Sequence, residues 1–192
     1  MSKQVLLKTL GTALLSLSVF GISYAGGQSS TANKALMKTH EKIIRNYEAV
    51  SHIKSDELIA MEPQDYILFD VREKDEFKVS HLRDAIWVDP SITASSFMGR
   101  YSEEIENKTV ILYCSVGVRS SRLAEKLLAS DTETKITQIY NLENGIFGWH
   151  NESRPLEGRT DRTDYVHPYN RLWGRMVNRK DLKRYKLDLS NS

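Results

Sequence analysis

A chain of 192 residues, 40% hydrophobic and 27% charged, has the make-up of a soluble globular protein and the length for one ordinary domain with tails. Its formal net charge of +2 is too small to argue for a nucleic-acid partner. The single cysteine excludes zinc-type cysteine pairs, there is no phosphate-binding glycine-rich loop or internal repeat, and neither metal nor cofactor is expected.

The first residues read as a secretory signal. Lys3 and Lys8 supply the positive start, Leu10 to Ile22 is an apolar run too short to span a membrane comfortably, and Ser23-Tyr24-Ala25 offers a small-x-small cleavage site. An exported, periplasmic protein cleaved near Ala25 is predicted; an uncleaved N-terminal anchor is the other reading. Cleavage takes out Lys3 and Lys8 and no acid, so the 27 Lys and Arg fall level with the 25 Asp and Glu. Export also matters for the lone cysteine. An oxidising compartment favours disulfides, and this thiol has no internal partner.

Gly26 to Ala32 reads as a polar linker. Leu36, Ile43, Ile44 and Tyr47 recur at helical spacing over Asn33 to Val50. Then follow a short strand at Ser51–Ile53, a helix over Ser55–Met61 capped by Ser55, and a strand over Tyr66–Val71. A helix at Glu73–Val79, a strand at Ala85–Val88 and a helical stretch at Ser95–Tyr101 come next. Val110–Tyr113 is the central buried strand, Ser120–Ser130 the helix after it, Ile136–Leu142 the last strand and Ile146–Glu152 the last helix. Such alternation predicts an α/β fold, a parallel sheet with helices on both faces, extended by the N-terminal helix and a C-terminal extension. The parts are a signal at 1–25, linker and helix at 26–49, the domain at 50–156 and the extension at 157–192.

Ligands bind outside the carboxyl ends of strands in such sheets. The strands ending at Val71, Tyr113 and Leu142 bring Asp70, Cys114 and Glu143 to one edge. Cys114 closes an apolar strand, opens the turn Cys114-Ser-Val-Gly-Val-Arg-Ser120, and precedes a helix. The unpaired N–H groups and positive dipole end of that helix favour an anion, which for a thiol is the reactive thiolate. Arg119 adds a positive charge and a forked donor set. The alternative from position alone is a buried structural cysteine.

Three ordered motifs resemble the rhodanese (sulfurtransferase) family. The first is Leu68-Phe-Asp-Val-Arg-Glu-Lys-Asp-Glu-Phe77 with His81-Leu82 and Asp84-Ala-Ile86. The second is the Cys114–Ser120 loop, and the third Asn141-Leu-Glu-Asn-Gly-Ile-Phe-Gly-Trp149 with Pro155-Leu156. Ser80, Arg83 with Asp84, and Asn144 depart from the family pattern at turns. Asn tolerates the left-handed backbone best after Gly. The resemblance implies a rhodanese-like fold over residues 50–156 and a sulfurtransferase. Cys114 takes a sulfane sulfur from thiosulfate or a similar donor, becomes a persulfide, and passes the sulfur to a thiol, sulfite, cyanide or a protein acceptor. The backbone of Ser115, Val116, Gly117, Val118, Arg119 and Ser120 would cradle the persulfide, and Arg119 would hold the sulfonate end. The six residues from Cys114 to Arg119 match the sulfur-sized loop of the family rather than the seven-residue loop of related cysteine phosphatases. A non-catalytic sulfur carrier or partner-binding module is the alternative reading.

Asp70 and Arg72 are read as pocket or structural residues, with Arg72 tied to Glu73 or Glu76. Ser115 and Ser120 can each bond a bound anion or cap a helix. His81 is taken as structural and Trp149 as a core anchor. Tyr165 to Gly174 is aromatic enough to pack back on the domain. Beyond Glu157 Lys and Arg outnumber Asp and Glu, which suits a solvated tail or a surface for an anionic partner or membrane face. A last helix is expected over Asp181–Leu189.

Overall fold

The computed structural model describes residues 31–130 and 136–186. The signal expected over 1–25 lies outside them, as does the end of the helix expected at 181–189. In chain order come α1 (Thr31–Asn46), β1 (Ser51–Ile53), α2 (Ser55–Ile59), β2 (Tyr66–Asp70), α3 (Lys74–Val79), β3 (Ile86–Trp87), α4 (Ala94–Ile105), β4 (Thr109–Tyr113), α5 (Val118–Leu128), β5 (Gln138–Leu142) and α6 (Gly145–Asn151). Five strands form one parallel sheet in the order β1-β5-β4-β2-β3. β4 is therefore central and buried along its whole length.

Side chains alternate across the sheet and sort into two cores. Leu68, Ile111, Tyr113 and Leu142 point to the side covered by Leu36 of α1, Leu58 of α2 and Ile146, Phe147 and Trp149 of α6. Phe69, Val110, Leu112 and Ile139 point to the other, covered by Phe97, Met98, Tyr101 and Ile105 of α4 and Leu123, Ala124 and Leu127 of α5. This is the two-faced α/β arrangement expected.

Several element bounds differ from expectation. α1 stops at Asn46, and a turn in which Val50 N–H donates to the Tyr47 carbonyl leads into β1. α2 includes Ser55 instead of being capped by it, and the Lys54 N–H donates to Glu57 Oε2 at 2.8 Å. α4 runs on to Ile105, because Ile105 extends the buried stripe one turn past Tyr101, across the exposed pair Glu103-Glu104.

The extension folds back. A hairpin of β6 (Leu156–Glu157) and β7 (Arg162–Thr163) is tied to His81 by reciprocal N–H to carbonyl bonds with Glu157, each 2.8 Å. Val166 and Val177 are fully buried. The helix expected from Asp181 is a short 3-10 turn at Lys180–Leu182. Among the described residues no helix is long and apolar enough to cross a membrane.

Candidate active site

Cys114 follows directly on β4 and is 1% exposed. Gly117 then adopts φ +107 at the N-cap of α5, so the helix begins at Val118, two residues earlier than expected. The left-handed turn lets the Gly117 N–H donate to Cys114 Sγ at 3.2 Å. Val116 and Ser120 add hydrogen-bonding contributions that favour the ionised sulfur. The loop carbonyls are held the other way. The Ile146 N–H donates to the Cys114 carbonyl at 3.0 Å and the Phe147 N–H to that of Ser115 at 3.1 Å. Gly145 makes that approach possible: at φ +53, a Cβ there would sit 2.3 Å from the Cys114 carbonyl oxygen. Asn144 before it is left-handed at φ 62, as its residue type suggested.

The charge beside the sulfur is itself anchored. Arg119 Nη1 donates to Glu76 Oε2 at 2.8 Å, and Nη2 to Glu76 Oε1 at 3.1 Å and to Ser115 Oγ at 3.0 Å. The Ser115 hydroxyl donates to Glu76 Oε1 at 2.8 Å. Burial opposes ionisation of Glu76, but Arg119, Arg72 and Ser115 outweigh it and hold its carboxyl below the usual range. Burial likewise pushes the Cys114 thiol up. The Arg119 charge and the donors at Ser120 and Val116 outweigh it, and the net shift is downward, toward thiolate.

A polar chain leads away from the loop. The Ser120 hydroxyl donates to Asn141 Oδ1 at 2.6 Å, and Asn141 Nδ2 lies 3.1 Å from His52 Nδ1. With Asn141 Oδ1 committed to Ser120, its Nδ2 is the donor and His52 Nδ1 the acceptor. The His52 ring meets that of His40 edge-on, centroids 4.8 Å apart.

Of the residues read from sequence, Gly117 donates to the Cys114 sulfur, and Arg119, Ser120 and Val116 favour its ionised form. Ser115 turns its hydroxyl to Glu76, and Val118 begins the helix. Asp70 and Arg72 stand apart from the sulfur, both fully buried. Arg72 is not tied to Glu73 or Glu76 as expected. Its Nη2 donates to Asp70 Oδ2 and to the Ser80 carbonyl, each at 2.6 Å, and its N–H to Asp70 Oδ1 at 3.0 Å. A buried guanidinium needs the nearest full charge, and Asp70 two residues back closes the tighter ring. His81 stacks on Phe77, and Trp149 donates its indole N–H to the Pro155 carbonyl. Sequence reasoning offered Glu76 to Arg72 and not to Arg119, and gave no role to Asn141, Gly145 or Tyr169. Glu76, Asn141 and Gly145 lie inside the quoted motifs; Tyr169 lies in the aromatic-rich stretch expected to pack back, with nothing local to place it on Arg119. Among the described residues no three His, Cys, Asp or Glu side chains gather as a metal site.

A family model described as Rhodanese-like domain matches residues 54–152. An uncharacterized protein of Bacillus subtilis, YqhL, is 38% identical over 82 residues, which are 43% of this chain and 59% of that protein. The chain thus spans little more than half of that relative's length. YibN of Escherichia coli, also uncharacterized, is 26% identical over 63% of this chain and 80% of its own. A thiosulfate sulfurtransferase structure from Pseudomonas aeruginosa superposes with a TM-score of 0.50 at 18% identity, covering 64% of this chain and 23% of that one. That likeness is one of fold.

Proposed function

The chain belongs to the rhodanese-like domain family, and from that premise we propose that it is a sulfurtransferase working through a persulfide on Cys114. The observation that carries this reading is the Gly117 N–H donating to Cys114 Sγ at the N-terminus of α5, beside the Arg119 charge that favours the thiolate. Such fixed groups hold a thiolate, and after transfer a persulfide anion, at no reorganisation cost. The Cys114 thiolate attacks the outer sulfur of thiosulfate or a similar donor. The bond from that sulfur to the sulfonate sulfur breaks with its electron pair, and sulfite departs. A thiol, sulfite or cyanide, or a thiol on a protein, then attacks the terminal sulfur and returns the Cys114 thiolate. With sulfite or cyanide as acceptor no proton moves in either step; a thiol acceptor attacks as its thiolate, having given its proton to water.

Arg119 supplies a fixed charge beside the sulfur, held in place by Glu76 and Ser115. With the signal at residues 1–25 removed, the reaction takes place in an exported, oxidising setting where a solitary thiol escapes internal disulfide formation. A second reading, sulfur carriage without turnover, is favoured by one observation: the sulfur is 1% exposed, which suits storage.

Intact mass after incubation with thiosulfate, and separately with an aryl phosphate, tests the proposal. We expect a gain of one sulfur atom that Cys114→Ser abolishes, and release of the sulfur on adding cyanide or a thiol. A sulfur adduct that no acceptor discharges points to the carrier. Phosphate release without any sulfur adduct refutes both.

A further inference from the structure

Cys114, Ser115 and Val116 are 1%, 4% and 3% exposed, and the later residues of their loop, Gly117 and Arg119, are flanked from outside the family segment. On one side Ile43 of α1 stands 3.3 Å from where a Cβ on Gly117 would lie. On the other, the Tyr169 ring of the extension lies over the Arg119 guanidinium, 4.9 Å from centroid to Cζ. Glu76 and Ser115 hold the edge of that guanidinium, so Tyr169 takes its flat face.

The ring is presented by a turn that bulky residues rarely adopt. Tyr169 sits at φ 60. Its N–H donates to His167 Nδ1 at 3.1 Å, and the Asn170 N–H donates to the Pro168 carbonyl at 2.7 Å. Asn170 Oδ1 accepts from both Leu172 and Trp173 N–H at 3.0 Å. The turn is fixed at its base by the buried Val166 and Val177, while the ring itself remains 43% exposed. A side chain placed at such conformational cost, half in solvent, gains little for the core. Its contact is with the rim of the cysteine site.

We propose that Tyr169 is a specificity-determining wall of the Cys114 site, passing sulfur donors and acceptors that are slender next to the reacting sulfur and rejecting those with a ring there. The inference rests on Cys114 being the reactive nucleophile proposed above; it does not depend on turnover. Slender species such as thiosulfate or a small alkyl thiol would pass the ring with Tyr169 left on Arg119. An aromatic substituent must displace Tyr169 from Arg119.

Two thiosulfonates with one leaving group, methyl and benzyl methanethiosulfonate, probe the wall on the whole protein. The thiolate attacks the sulfenyl sulfur, a mixed disulfide forms on Cys114, and methanesulfinate leaves. Thiol ionisation cancels in the ratio of the two rates, and dividing by the same ratio for a free small thiol removes the probes' intrinsic difference, leaving steric access. In the unaltered protein we expect the methyl probe to react at least about tenfold faster, the scale of discrimination a shaped pocket gives. In Tyr169→Ala, and in Tyr169→Gly, which accepts the positive φ without strain, the ratio should fall to within about threefold. Tyr169→Phe should keep it. A ratio unchanged in both ring-deleted variants, or lost equally in Tyr169→Phe, overturns the proposal. Failure of even the methyl probe to react instead removes Cys114 as nucleophile, and with it the sulfurtransferase reading.

Discussion

The Glu76 carboxylate, 1% exposed, accepts from the Glu73 N–H, the Ser115 hydroxyl and both terminal nitrogens of Arg119. It therefore fixes where the Arg119 charge sits and offsets part of its pull on Cys114. Glu76→Gln keeps the shape and removes that offset. The rate of Cys114 alkylation by iodoacetamide, followed against pH, should shift its midpoint downward by roughly half a unit, since an unpaired cation nearby favours thiolate. The same variant should lose about 3 kcal/mol in urea unfolding, because the partner charge of a largely buried pair is left alone. A midpoint that moves upward would show that the orientation of Arg119, and not its net charge, lowers the thiol.

α6 and the loop after β4 act as one piece, joined where the Ile146 and Phe147 N–H groups meet the Cys114 and Ser115 carbonyls. Gly145→Ala places a methyl into backbone at 2.3 Å, at a positive φ, so neither partner can yield cheaply. We expect about 2 kcal/mol or more of lost stability by thermal melting, together with slower Cys114 alkylation at every pH. A melt that drops while alkylation holds its rate would separate α6 from the site. This coupling also marks what the sequence made legible. The parallel sheet followed from alternating apolar runs, and the cysteine loop from a strand, a turn and a helix in succession. The motif at 141–149 carried Gly145 and Asn144, but its role in gripping the loop depends on two chain segments some thirty residues apart. Glu76 was likewise visible as a letter in the first motif, while its partner Arg119 is set by tertiary packing. The late end of α4 was hidden because Glu103 and Glu104 face solvent and mask the stripe that Ile105 completes. Tyr169 had no periodicity or motif around it, only an aromatic-rich stretch whose destination is a matter of the whole fold.

At the scale of the molecule, α1, the sheet and the extension are locked together around the site. The Thr39 hydroxyl of α1 reaches Met176 Sδ, while Asn151 of α6 donates to the Met176 carbonyl and accepts from the Asn178 N–H. Where α1 meets the β1 edge, His40 faces His52, with Glu143 3.7 Å from His40 Nε2. Burial depresses both imidazoles. In His40 it outweighs the attraction of Glu143 and Glu41, and His52 is pushed down to about 4, with His40 adding to the effect. Both are thus neutral at pH 7, and His52 Nδ1 accepts from Asn141. An unfolded chain protonates these rings near pH 6.5, well before the folded one does. The unfolded state then binds more protons between about 6.5 and 4, so stability present above that window is lost as pH falls through it, by about 1.4 kcal/mol per unit for His52. Urea unfolding at pH 7, 6, 5 and 4.5 should show this slope. His52→Gln, which can still accept from Asn141, should flatten it while leaving the His40 share. A slope identical in the variant would mean that the loss comes from elsewhere. The Glu76 pair is distinguishable from it, because a depressed carboxylate gives up its stability as pH falls below its ordinary value of 4.5, beyond the acid end of that series.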